Sequence, residues 1–103
     1  MVSLRFVYIL KADGNYFTGS TFDPTKVLLA FRLNNKDAQF VLVCPMVNKE
    51  ASRAVAFMKK RMQKKDFEYW DRQSKEQQAR WLYRASGMES DMAYDLSSKY
   101  NNL

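Results

Sequence analysis

A chain of 103 residues that is 47% hydrophobic is long enough for one domain with its own core and too short for two. One cysteine and no histidine exclude an internal disulfide, an imidazole base and an imidazole metal ligand, leaving any acid-base chemistry to Tyr, Lys, Asp or Glu. The net charge of +6 is unevenly placed, with 12 Lys or Arg against 4 Asp or Glu in residues 1 to 65 and 5 against 7 in residues 66 to 103. The front part suits a polyanion and the tail does not.

Residues 4 to 11 (LRFVYILK) read as a strand with Phe6, Tyr8 and Leu10 on one face and Val7 and Ile9 on the other, so both faces are expected to be covered. Asp13-Gly14 supplies the positive φ of a tight hairpin turn, and Tyr16 to Thr18 form the return strand. Thr21 or Asp23 caps a helix that has Pro24 in its first turn, runs through Leu33 and ends at Asn34-Asn35. Residues 38 to 44 form a third strand that Pro45 stops, with Cys44 as a small hydrophobe inside it.

Asn48 then caps a long helix through Lys65, with Ala51, Ala54, Val55, Met58 and Met62 inward and Lys49, Arg53, Lys60, Arg61 and Lys64 outward. The following aromatic and acidic stretch, Asp66 to Asp71, extends or kinks that helix. Ser74 opens a helix from Lys75 to Ala85, Gly87 breaks it, and Glu89 to Tyr100 reads as a last helix. The expected fold is α/β: a small three-stranded sheet in β-β-α-β-α order over residues 1 to 65, with a helical extension over 66 to 103 packed on it as one structural unit. The start of the chain lacks a signal-peptide pattern, and no apolar run approaches the ~20 residues of a membrane span, so a soluble intracellular, cytoplasmic protein without membrane contact is expected.

Phe6-Val7-Tyr8 and Phe17-Thr18-Gly19, eleven residues apart at Tyr8 and Gly19 and followed by Ser20-Thr21-Phe22-Asp23, resemble the opening hairpin of the GIY-YIG nuclease superfamily. The resemblance covers roughly residues 4 to 65 and is closest to the small single-domain members. It implies a metal-dependent phosphodiesterase whose first helix presents an arginine and, four residues later, a histidine, and whose next helix presents a metal-binding glutamate. Here those positions hold Val27, Phe31 and Val55, and Phe17 replaces the second signature tyrosine. A valine neither binds a cation nor stabilises phosphoryl charge. Lys26, beside the missing arginine, points about 100° away, and Glu50 lies on another face from Val55. The expectation is a degenerate, catalytically inactive pseudo-nuclease with a vestigial Tyr8 and no cofactor.

Two ways of acting by binding follow from the residues. Lys26, Arg53, Lys59, Lys60, Arg61, Lys64 and Lys65 offer a nucleic-acid-binding surface for DNA or RNA, with Tyr8 and Tyr16 as stacking rings; the bland reading is a solvated lysine-rich face. Phe17, Val27, Phe31 and Val55 offer an apolar patch in the old cleft, for a protein partner, a second copy or the chain's own tail, whose Phe67, Tyr69, Trp70, Trp81, Leu82 and Tyr83 suffice to cover it. The resemblance further implies a phage or mobile-element regulator or inhibitor. The alternatives are a protein-binding inhibitor without nucleic-acid contact, and an endonuclease using Mg2+ or Mn2+ on a relocated carboxylate such as Asp66 or Glu68. A helix-turn-helix around Gly87 fits poorly, because Tyr83 is bulky and Glu89, Asp91 and Asp95 repel phosphate; Met88 and Met92 read as packing residues.

Overall fold

Asp13 and Gly14 take φ of 52° and 73°, folding strand β1 (Leu4–Ala12) back onto β2 (Asn15–Thr21) through the tight turn their sequence demands. The structure, a computed structural model, describes residues 3–88 and 94–102. Beyond the hairpin come α1 (Pro24–Arg32), β3 (Gln39–Val47), α2 (Asn48–Arg61), α3 (Lys64–Asp71), α4 (Lys75–Ala85) and α5 (Ser97–Asn101). The sheet is antiparallel with β1 in the centre, in the order β2-β1-β3. The β-β-α-β-α order with a helical extension is the one the sequence predicts.

A central strand must bury both faces, and β1 does. Val7 and Ile9 pack with Leu42, Cys44 and Met46 of β3 and with Ala51, Ala54 and Met58 of α2. Phe67, Ala79, Leu82 and Tyr83 join this same cluster, which ties the tail to the front of the chain. Leu10 and Ala12 pack on the opposite face with Phe40, Val43 and Leu28 of α1, and Leu96 and Tyr100 close that side.

Four local expectations are corrected. Strand β2 runs from Asn15 to Thr21, longer than Tyr16 to Thr18, because its whole length pairs with β1. Strand β3 continues through Pro45, which lies opposite Phe6. Since β3 is an edge strand, the missing N–H costs no ladder bond, and the carbonyl of Pro45 accepts from the Tyr83 hydroxyl at 2.9 Å. Asn48 is the first residue of α2 and not its cap; Val47 precedes the helix in extended conformation. The long helix also breaks at Met62, because Gln63 and Asp66 form a capping box that starts α3, with the Gln63 amide donating to Asp66 at 2.7 Å. The caps at Asp23 and Ser74 form as expected. Of the expected last helix, Ser97–Asn101 is helical, Tyr94 to Leu96 is not, and residues 89 to 93 lie outside the described residues, as does the packing role of Met92.

A bulge bends β3. Ile9 pairs with Leu42 and Leu10 with Phe40, so Val41 has no partner on β1. The outward backbone groups of β3 are then taken up one after another by the tail. Asn101 bonds both the N–H and the C=O of Phe40, Lys75 donates to the Val41 carbonyl at 2.7 Å, the Val43 N–H donates to Asp95 at 2.9 Å, and the Leu96 N–H donates to the Val43 carbonyl at 2.8 Å. The extension thus seals an edge that would otherwise offer itself to another strand.

Cys44 is fully buried, and burial, reinforced by the charge of Asp95, pushes its thiol well up. Burial likewise raises the Tyr8 and Tyr83 phenols. These groups favour the protonated form more in the folded chain than in the unfolded one. Their stabilisation is therefore fully present below the unfolded values of about 8.5 for Cys and about 10 for Tyr, and is lost as pH rises through the folded values. Thermal melts should show a decline setting in near pH ~9; a midpoint constant to pH ~11 contradicts this. Cys44 should also resist thiol reagents at neutral pH until the chain unfolds.

Candidate nucleic-acid interface

Tyr8 sits at the middle of β1 opposite Gly19, and its ring lies over that glycine. A Cβ on Gly19 would come within 2.7 Å of the phenol oxygen and 3.1 Å of Cζ, so Tyr8 and Gly19 are a packing pair. Phe40 meets the Tyr8 ring edge-on at 5.7 Å. Gly19→Val is accordingly expected to cost roughly 1–3 kcal/mol in urea unfolding, with part regained by Tyr8→Phe in the double variant. Equal losses in the single and double variants would refute the contact.

Phe17, Val27 and Phe31 gather on this face, the Phe17 and Phe31 rings 5.0 Å apart, and Tyr100 of α5 closes on Phe6 at 5.9 Å. Val55 does not join them. It packs on the other side of the sheet with the α2 cluster, so the expected four-residue cleft patch is divided by the sheet itself. The side chains clustered with Tyr8 are hydrocarbon and aromatic, and burial holds its phenol above the ordinary range. Among the described residues, no three Cys, Asp or Glu side chains are grouped so as to hold a metal ion. Of the two carboxylates considered as relocated ligands, Asp66 is engaged in the α3 cap, and Glu68 lines a hollow beside Tyr16, across the sheet from Tyr8.

The expected cations separate into groups. Arg53, Lys60 and Arg61 are exposed on α2 and stand at i−4, i+3 and i+4 from Phe57, on one side of the helix. Lys59, two positions from Phe57, lies on another side. The break at Met62 re-aims Lys64 and Lys65, which belong to α3; Lys64 lines the hollow of about 420 Å³ at the hairpin's end with Lys11, Tyr16, Asp71 and Arg72. There the Tyr16 hydroxyl donates to Asp71 at 3.0 Å and Lys11 pairs with the same carboxylate at 3.5 Å. Lys26 is exposed on α1, a separate element from the α2 group.

Sequence reasoning missed the feature that organises the α2 group. Phe57, Tyr69, Trp70, Trp81, Arg84 and Ala85 line an open cavity of about 340 Å³ between α2, α3 and α4. The Tyr69 and Trp81 rings are parallel within 14° at 6.1 Å, and Trp70 meets Trp81 at 5.4 Å. The tail's aromatics are thus divided: Phe67, Leu82 and Tyr83 are core, whereas Tyr69 remains 51% exposed and Phe57 36%. Arg53 reaches Gly87, whose φ of 88° follows the end of α4 and where a Cβ would lie 3.1 Å from the guanidinium. Two signals were present in the sequence. Phe57 lies off the inward stripe of α2 among cations, and Tyr69 and Trp70 stand about 100° apart on their helix, so with Phe67 inward they do not all point the same way.

No protein-family model matches the chain, and neither does any curated protein or solved structure.

Proposed function

We propose that this protein is a degenerate GIY-YIG-like domain that acts by occupying nucleic acid without cleaving it, in the manner of a phage or mobile-element regulator. The observation that carries this reading is the side of α2 where Arg53, Lys60 and Arg61 flank an aromatic cavity that also contains Arg84. Phosphates supply affinity through such cations, and bases through such rings. No acidic residue interrupts the segment from Ala51 to Lys65. The apolar side chains at Val27, Phe31 and Val55 favour occupancy over hydrolysis. Fluorescence anisotropy with labelled DNA and RNA tests this. Four phosphate contacts give a slope of log K against log salt near −3, and so a loss of roughly 50-fold between about 50 and 200 mM salt. Absence of binding at the lower salt, or affinity indifferent to salt, contradicts the proposal.

A second reading, a protein-directed inhibitor, is favoured by one observation: Phe17, Phe22, Leu29 and Leu33 are exposed to between 41% and 85% along and beside α1. Under it, Leu29→Asp with Leu33→Asp abolishes capture of a protein partner while leaving nucleic-acid affinity and unfolding midpoint unchanged. Retained capture by that variant speaks against this surface.

A further inference from the structure

We infer that the cavity between α2, α3 and α4 receives an unstacked nucleobase, so that the protein prefers single-stranded nucleic acid to duplex. This rests on the nucleic-acid reading and specifies its ligand. The cavity's about 340 Å³ lies at the small end of the ~300–1,000 Å³ typical of small-ligand sites, a size for one flat ring system and not for a helix or strand of a partner. Its walls are π faces and edges: Phe57, Tyr69, Trp70 and Trp81, with the guanidinium of Arg84 beside them. A base, flat and polarizable, stacks on such rings whatever its identity, and a guanidinium stacks on it in turn.

The charge around the cavity selects among flat ligands. Arg53, Lys60 and Arg61 border Phe57 along α2, so a chain of phosphates running past the opening meets cations on the α2 side while a base turns inward. Duplex DNA keeps its bases stacked and paired, and turning one out costs energy that a single strand does not pay. The same surface that attracts both forms electrostatically therefore discriminates between them by stacking.

The chain contains two tryptophans, and both line this cavity, so intrinsic tryptophan emission reports on it alone. Titration with oligothymidylate, and with a duplex of the same length, is expected to quench emission strongly for the single strand and little for the duplex, with affinities differing by at least about tenfold. Trp81→Ala should erase the preference by weakening single-strand binding about 5- to 100-fold and leave duplex binding, read by anisotropy, unchanged. Because Trp81 also packs on Trp70, Tyr69→Ala serves as the second variant: Tyr69 is half exposed, and its loss should weaken single-strand binding by several-fold at an unaltered unfolding midpoint. Equal affinity for both forms with unmoved emission overturns the base-binding inference and leaves the nucleic-acid reading standing. Failure to bind either form at low salt overturns both. Stronger quenching by an acidic, aromatic-free peptide than by the oligonucleotide overturns the assignment of a base as the occupant.

Discussion

Asp95→Ala is expected to lower unfolding free energy by about 2–4 kcal/mol, more than any exposed carboxylate in the chain. The Asp95 carboxylate accepts from the Val43 amide at 2.9 Å, from the Ser97 amide at 3.0 Å and from the Ser97 hydroxyl at 2.6 Å. Val43 is completely buried, so truncation leaves its N–H without a partner at the sheet edge, a loss of about 1–3 kcal/mol by itself. The turn into α5 goes with it, and with α5 the Asn101 bonds to Phe40. Urea unfolding supplies the number, and hydrogen exchange at the Val43 amide supplies the mechanism. Asp95→Asn, which keeps an acceptor, should recover about half. An unchanged midpoint in Asp95→Ala, or protection at Val43 that survives it, would show that the tail does not hold the β3 edge. Exposed, that edge should also promote association at high protein concentration.

The second large effect concerns binding. Lys60→Gln, Arg61→Gln and Arg84→Gln together are expected to weaken nucleic-acid affinity by on the order of 100-fold at about 50 mM salt and to flatten the salt slope by about 2 to 3. All three side chains are exposed, and glutamine is nearly as good a helix former, so the unfolding midpoint should move by less than about 0.5 kcal/mol equivalent. The paired control is Lys26→Gln with Lys59→Gln, which removes cations from α1 and from another side of α2. It should weaken binding only a few-fold. Equal losses in the two sets would mean that net charge, and not the surface around the cavity, carries the affinity.

Local chemistry made part of this structure legible in advance. The hairpin was readable because only a turn tolerates Asp13-Gly14 at positive φ, and α1 and α4 because Asp23 and Ser74 cap them from their own side chains. The run of β3 past Pro45 was not, since proline is admissible there only because the strand lies at an edge, a property of the sheet and not of the residue. The sealing of that edge by Lys75, Asp95, Leu96 and Asn101 joins positions 34 to 61 residues apart, beyond any local pattern. The same distinction holds at the surface. Cations on α2 are visible as a stripe, but their relation to Trp70 and Trp81 exists only once α3 turns away at Met62 and α4 returns beside α2. Val55 shows the opposite hazard: Phe17, Val27, Phe31 and Val55, expected from a resemblance to form one patch, fall on two sides of a sheet.

The central claim is occupancy without cleavage, and one assay addresses it most directly. End-labelled branched and duplex DNA is incubated with the protein and Mg2+ or Mn2+, and each sample is divided between a native and a denaturing gel. The account predicts retarded complexes on the first and strands of unaltered length on the second. Nicked strands that disappear in the Tyr8→Phe variant would contradict it.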